Sequence, residues 1–258
     1  AAEGVRFTQF YNTARCSPTR ASLLTGLYPH QAGMGHMPDG YAARVRSTFD
    51  SPSYQDHLSY DTPTLAERLG PAGYTTYMIG KWHLGYDRPQ WPTDRGFDRS
   101  FAVTEGAFNY YGYGMQLDGE VGYPTFVRDG VRFDPPREGF FATDAFSDAA
   151  VDYIRDHAPG EPFFIYLAYN APHWPLHAPP EDVAEYRGSY RQMGWDRVRE
   201  ARYRRLVELG IIDPAWALAP RPTSVPAWDS VPAADRDRWD HEMSIYAAQI
   251  ERMDRGIG

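Results

Sequence analysis

Residues 163–169 have the sequence FFIYLAY, a continuous apolar run without a charged side chain. Runs of this length and composition are typical of strands that are buried on both faces of a parallel sheet. Two further strands are predicted over residues 5–11 and 74–79, which are rich in β-forming residues. The chain therefore carries at least three candidate strands that are well separated in sequence.

Segments with helical periodicity separate these strands. Apolar residues recur at helical spacing after Thr62 and after Thr143, and threonine favours the N-cap position of a helix. Residues 235–257 form a last amphipathic helix with one apolar stripe. Helices that alternate with apolar strands predict an α/β fold with a mostly parallel sheet, in which ligands bind beyond the carboxyl ends of the strands.

Chemically reactive side chains follow each predicted strand within a few residues. Cys16 and Arg20 come after the first strand, Lys81 and His83 after the second, and His173 after the third. Because the carboxyl ends of parallel strands meet at one edge of a sheet, we expect these side chains to gather around one pocket.

The segment CSPTR, residues 16–20, lies where a loop turns into a helix. Ser17 favours the N-cap, Pro18 suits the first helical position, and the helix is expected to end at Gly26. The unpaired N–H groups of this helix start and the guanidinium of Arg20 would stabilise negative charge near the sulfur. The alternative that stays open is a cysteine buried as a small apolar side chain.

Composition limits the classes of function. The chain has 258 residues, 42% of them hydrophobic, and a formal net charge of −8. It contains no apolar segment of the ~18 residues that a membrane helix requires, so no membrane association is expected. The negative charge argues against nonspecific nucleic-acid binding. A single cysteine excludes an internal disulfide but does not define the compartment.

Lys81 is the only lysine among 26 basic residues. A surface lysine retained by chance is one explanation. The other is functional, because a compact ammonium contacts a single anion oxygen in a way that the wider guanidinium cannot.

Three segments together resemble the sulfatases, a family of the alkaline phosphatase superfamily. They are CSPTRASLLTG at 16–26, the segment that ends in GKWHLG at 73–85, and APHWPLHAP at 171–179. A thiolate phosphatase loop would instead place an arginine six residues after its cysteine, where this chain has Ser22. The likeness is strongest to bacterial arylsulfatase-type enzymes, and it implies an alkaline phosphatase-like sheet that is incomplete at both ends. Residues 1–258 would be the central part of a single catalytic domain.

The resemblance implies a catalytic role for each matched residue. Cys16 would be oxidised by a formylglycine-generating enzyme to formylglycine, whose hydrate attacks the sulfur of a sulfate ester. Arg20 would hold that hydrate, and Lys81 would bind a sulfate oxygen. His83 would take the proton from the second hydroxyl, and His173 would contact the ester oxygen and help the alcohol to leave.

The resemblance further implies a calcium ion and a substrate-side role for His177. Sulfatases hold the ion through an Asp-Asp pair and an Asp-Asn pair, and neither dipeptide occurs in this sequence. We therefore expect the ligands upstream of Ala1 and downstream of Gly258, with no metal ligand in this chain apart from a contact by Cys16 as formylglycine. These 258 residues alone are expected neither to bind calcium tightly nor to turn over esters.

Sulfuric ester hydrolysis of an aryl or carbohydrate sulfate is thus the function that the sequence favours. The alternatives are a formylglycine-dependent phosphonate or phosphodiester hydrolase, and an inactive homologue that only binds sulfated glycans. A cysteine hydrolase that uses Cys16 and a histidine ranks behind these. Most bacterial relatives with this resemblance are exported, so a periplasmic or secreted location is expected rather than a cytoplasmic one.

Overall fold

The computed structural model describes residues 4–38, 50–117 and 120–258, which divide into two compact units. One unit, here called the sheet unit, comprises Asn12–Pro175 and Met253–Gly258. The other, here called the helical unit, comprises Leu176–Arg252 and the residues up to Tyr11. Among the described residues, no helix combines the length and the apolar character required to cross a membrane.

The sheet unit contains seven described strands. They are β1 (Thr75–Lys81), β2 (Arg99–Val103), β3 (Met115–Leu117), β4 (Glu120–Gly122), β5 (Phe126–Arg128), β6 (Val131–Phe133) and β7 (Phe163–Ala168). Five of them form a sheet in the order β6-β5-β2-β1-β7, and β3 pairs with β4 in a separate hairpin. The strand β1 is parallel to both β2 and β7, whereas β5 and β6 continue the sheet in antiparallel orientation.

Both faces of this sheet are covered by apolar side chains. On β1, Met78 belongs to one buried cluster, and its neighbours Tyr77 and Ile79 belong to a second cluster on the opposite face. This alternation is the period of two expected for a strand. The α/β fold predicted from the sequence is therefore confirmed, with a parallel centre and an antiparallel extension that the sequence analysis did not predict.

Six described helices complete the chain. They are α1 (Cys16–Thr25), α2 (Leu65–Leu69), α3 (Ala142–Asp156), α4 (Pro180–Tyr186), α5 (Ser189–Glu208) and α6 (Ala233–Ile257). Side chains of α1 and α2 pack on the face that contains Met78, and side chains of α3 pack on the opposite face. The first two helices and β1 thus bring the sequence segments of the predicted site to one region of the sheet unit.

Two predicted features of the chain are wrong. Residues 5–11 form no strand, because they pair with no other described segment, and Val5 and Phe7 are 84% and 67% exposed. The strand β7 was expected to be buried on both faces, but among the described strands it pairs only with β1, and most of its side chains are only half-buried. Full burial is found for β1 instead.

The N-caps of α1 and α2 each differ from the predicted ones by two residues. Arg15, not Ser17, occupies the N-cap of α1, so Cys16 is the first helical residue. Thr64, not Thr62, caps α2 and forms a capping box with Glu67. The C-terminal end of α1 at Gly26 agrees with the prediction, because Gly26 adopts the left-handed conformation (φ 72°) that ends helices.

A buried carboxylate organises the helical unit. Asp240 of α6 is 1% exposed. It accepts hydrogen bonds from the backbone N–H of Gly188 (2.9 Å) and Arg191 (2.9 Å) and from the Arg187 guanidinium (2.5 Å). The buried residues of α6 are Asp240, Ser244, Ala247, Ala248 and Gln249, so the predicted apolar stripe of the helix is partly exposed, at 39% for Trp239.

Candidate active site

The reactive sulfur lies at the start of α1. The chain enters this helix through Ala14, which has a positive φ of 56° and whose N–H donates to the Asn12 side chain at 2.7 Å. Cys16 then occupies the first turn, where backbone N–H groups have no helical partner. This position favours an anion at the sulfur.

Arg20 connects α1 to the ends of two strands. Its Nη1 atom donates to the backbone oxygen of Lys81 at 2.5 Å and to the Tyr166 hydroxyl at 3.2 Å. These bonds orient the guanidinium one helical turn after Cys16. They also tie the helix to β1 and β7.

Lys81 is the last residue of β1 and is 2% exposed. Burial and the nearby Arg20 charge together lower the pKa of its ammonium to about 8, against the opposing influence of the Cys16 sulfur. A pKa decrease of this size corresponds to on the order of 3 kcal/mol in favour of the neutral amine. Lys81 and Arg20 therefore repel each other electrostatically. A bound anion would offset that repulsion.

His83 follows at the bend after β1. Trp82 fixes this bend, since it is fully buried, its N–H donates to Val103 (2.9 Å) and its indole donates to Gln90 (2.9 Å). His83 itself has a positive φ of 54° and is 1% exposed. Burial lowers the pKa of its imidazole, so the neutral, proton-accepting form predominates at neutral pH.

His173 reaches the same point from the segment after β7. Its backbone N–H donates to Asn170 at 2.9 Å, and its Nδ1 lies 2.5 Å from the backbone oxygen of Trp174. Because a carbonyl can only accept, Nδ1 carries the proton in this bond. The Nε2 atom is then the ring nitrogen that faces Cys16.

The Cys16 sulfur is the point where these groups meet. Hydrogen bonds from His173 and His83 lower the pKa of the thiol to about 4, and the charge and hydrogen bond of Lys81 add to this effect against the opposing influence of burial. The structure thus brings Cys16, Arg20, Lys81, His83 and His173 into one cluster. An unmodified Cys16 is a thiolate at neutral pH.

A cavity of about 660 Å³ opens onto the cluster. Cys16, Arg20, Lys81 and His173 contribute to its wall. Its other lining residues are Asn12, Ala14, Arg15, Thr19, Leu23, Met37, Tyr166 and Asn170. Tyr166 and Asn170 were not predicted, although both lie within or directly after the apolar run 163–169, where a polar group is a recognisable signal.

His177 lies in the helical unit. Burial lowers the pKa of its imidazole. Its contact with substrate stays a prediction.

The cluster does not have the chemistry of a calcium site. Calcium prefers carboxylate and carbonyl oxygen ligands, whereas the groups around Cys16 are an ammonium, a guanidinium and two imidazoles. Across residues 4–38, 50–117 and 120–258, no group of three or more His, Cys, Asp or Glu side chains is placed to hold a metal ion.

The chain is similar in sequence to known proteins. The sulfatase family model matches residues 1–258. The arylsulfatase of Klebsiella aerogenes is 35% identical over 259 residues, which cover 100% of this chain and 54% of that protein. A sulfatase of Schizosaccharomyces pombe is 34% identical over 264 residues, which cover 100% of this chain and 48% of that protein.

Among solved structures, that of Ps i-CgsB in complex with k-i-k-neocarrahexaose is similar with a TM-score of 0.59 and 24% identity. The likeness covers 94% of this chain and 43% of that one. It confirms the alkaline phosphatase-like fold.

The fold and the family match together define the class, and the chain belongs to the sulfatase family. It spans about half the length of the curated relatives that it matches.

Proposed function

We propose that the protein containing this chain hydrolyses sulfate esters of aryl or carbohydrate alcohols. The observation that supports this most strongly is the Cys16 sulfur, which is hydrogen-bonded by His173, His83 and Lys81 at the wall of an open cavity. The name of the Klebsiella aerogenes relative, an arylsulfatase, points to the same reaction class.

Two cations, Lys81 and Arg20, would bind the sulfate ester group and the nucleophile. Lys81 would contact one sulfate oxygen, and Arg20 would offset the charge on the nucleophile at position 16. Arg20 is oriented before substrate arrives by its bonds to the Lys81 backbone and to Tyr166, and the buried Lys81 ammonium is held by its hydrogen bond to position 16. Such preorganised charge stabilises a transition state in which negative charge grows on the transferred group.

Proton transfer falls to the two histidines. Conversion of Cys16 to formylglycine supplies a hydrated aldehyde. One of its hydroxyls, after losing its proton to solvent and with its charge offset by Arg20, attacks sulfur and forms one S–O bond while the bond to the alcohol breaks. His173 would donate a proton to the departing alcohol oxygen. His83, neutral at working pH, would accept the proton of the second hydroxyl, after which sulfate leaves and the aldehyde is restored.

The proposed function includes two partners, a modifying enzyme and a sulfate ester, and a cellular location. A formylglycine-generating enzyme would act on the segment that contains Cys16, and the substrate would be a small-molecule or glycan sulfate ester. The calcium ion that the resemblance implies would take its ligands from residues other than those described. A periplasmic or secreted location accompanies this proposal.

The test uses the complete gene product co-expressed with a formylglycine-generating enzyme. We expect hydrolysis of 4-nitrophenyl sulfate, and we expect mass spectrometry of the tryptic peptide of residues 16–20 to show the aldehyde. Cys16→Ala is expected to abolish turnover, and Lys81→Ala and His83→Ala to lower kcat by about 10²–10⁴-fold. A converted but inactive wild-type protein would contradict the proposal and favour a homologue that only binds sulfated glycans.

The same preparation separates the phosphonate alternative. A phenylphosphonate monoester is assayed beside the sulfate, at equal enzyme concentration. We expect the larger kcat/KM with the sulfate. The reverse order would assign the site to phosphonate or phosphodiester hydrolysis.

A further inference from the structure

The loop that follows β2, residues 104–112, packs against His83 through Gly106. A Cβ atom added at Gly106 would lie 2.2 Å from Cε1, 2.7 Å from Nε2 and 2.8 Å from Nδ1 of His83. No side chain fits at such distances. The φ angle of Gly106 lies outside the left-handed range, so it is the imidazole, and not the backbone conformation, that requires glycine at this position.

Besides its hydrogen bond to Cys16, the His83 ring is held by packing. Catalytic imidazoles are commonly oriented by a hydrogen bond from the second ring nitrogen to a carbonyl or carboxylate. The Nδ1 atom of His83 is buried and has no such partner among the described residues. The Gly106 backbone against the ring takes the place of that bond.

The same loop holds the second histidine through Tyr110. This side chain is 1% exposed, and its hydroxyl donates to the backbone oxygen of His173 at 3.0 Å. The ring is stacked on Phe108 (5.5 Å between centroids) and Phe141 (5.9 Å), and its backbone oxygen accepts from Ala142 at 2.8 Å. Tyr110 is therefore a rigid support for the bend that carries His173.

We propose that the loop of residues 104–112 is a shared brace that sets the positions of His83 and His173, with Gly106 and Tyr110 as positioning residues. The proposal rests on the sulfatase reaction proposed above. Neither residue touches the reacting atoms, and each acts through one histidine.

Double-mutant cycles on the complete, converted protein test this coupling. Gly106→Ala is expected to lower kcat by about 10²-fold, the effect of misplacing a catalytic group by an ångström. In a His83→Ala background the same change is expected to have no further effect, because the group it displaces is gone. Tyr110→Phe, which removes one oxygen atom and should leave the fold intact, is expected to lower kcat several-fold in the wild type and not in His173→Ala.

Gly122→Ala is the matched control. A Cβ at Gly122 would meet nothing within 4 Å, and its φ is also outside the left-handed range. We expect wild-type kcat and KM for this variant. If Gly106→Ala lowered kcat by the same factor in the wild type and in His83→Ala, the proposed positioning role of the loop would be wrong.

A second measurement does not depend on sulfatase activity. In protein produced without conversion, the rate of Cys16 alkylation by iodoacetamide is followed against pH by mass spectrometry of the 16–20 peptide. The alkylation midpoint is expected near pH 4 in wild type and Gly122→Ala and at higher pH in Gly106→Ala, since His83 helps to stabilise the thiolate. Unchanged midpoints in Gly106→Ala would overturn the brace even where the sulfatase assay succeeds, and a shifted midpoint would support it even where that assay fails.

Discussion

At the scale of the residue, Lys81 makes anion binding depend on pH. The pKa of its ammonium is lowered to about 8, and this value already includes the opposing effect of the adjacent Cys16 sulfur, which raises the pKa. Conversion of Cys16 removes that negative charge, so the ammonium of the converted enzyme loses its proton at or below about pH 8. Competitive inhibition by inorganic sulfate, which does not titrate in this range, is therefore expected to weaken as the pH rises through 8, measured as an increase in Ki.

The Lys81→Arg variant, assayed in the same way, distinguishes the effect of the side chain's positive charge from the effect of its shape. A guanidinium keeps its proton across the whole range, so the Ki of this variant should not depend on pH between 7 and 9. Its kcat should still fall, because the wider group cannot occupy the position of the ammonium. If Ki rose with pH in Lys81→Arg as it does in wild type, another group would control anion binding.

The sequence identified the residues whose chemistry is visible in their type. Cys16, Lys81, His83 and His173 are rare, reactive residues, and their places after predicted strands suggested one pocket, although the strand predicted before Cys16 does not form. Gly106 and Tyr110 could not be found in this way. Their contribution is a contact distance to a side chain far away in sequence, which only the folded chain defines.

At the scale of the element, Gly80 controls how closely β1 and β7 approach. Its φ is +105°, and a Cβ atom there would lie 2.2 Å from the backbone oxygen of Ala168. Gly80→Ala would combine backbone strain with a clash against the backbone of the paired strand β7. We expect a loss of about 3 kcal/mol in the free energy of unfolding, measured by urea denaturation.

Gly122→Ala again provides the comparison for this substitution. Its effect on the free energy of unfolding should stay within about 0.5 kcal/mol, because the added methyl group meets open space. An equally small effect from Gly80→Ala would mean that β1 and β7 can separate without cost. The segments that carry Lys81 and His173 would then not be fixed by the pairing of their strands.

The predicted strands form where a segment rich in β-forming residues also has a partner strand in the sheet. Residues 75–81 and 163–168 are strands in the structure, and their parallel pairing is what places Lys81 and the segment before His173 side by side. Residues 5–11 have a similar content of β-forming residues but no described partner strand, and an unpaired strand is not stable. The short strands β5 and β6 were missed because three residues give too brief a pattern to recognise.

At the scale of the whole molecule, the anion site is a local exception to the overall charge. The chain's formal net charge of −8 does not attract anionic substrates at long range, whereas the half-buried Arg20 and the buried Lys81 place positive charge locally beside Cys16. Because the attraction is short-ranged and partly shielded from solvent, added salt should screen it weakly. Selection of the substrate then depends on contact inside the cavity and not on steering from a distance.

Calcium binding tests whether these 258 residues contain the metal ligands that activity is expected to require. The described residues supply cations and imidazoles around Cys16 but no cluster of carboxylates, and the chain spans about half of the relatives that it matches. Isothermal titration of calcium into the purified 258 residues should therefore show no tight binding, and 4-nitrophenyl sulfate should not be turned over even after conversion of Cys16. The complete gene product, titrated in parallel, should bind calcium and be active. Tight binding by the 258 residues alone would show that the metal ligands lie within this chain, and the division of the site between this chain and the rest of the protein would be wrong.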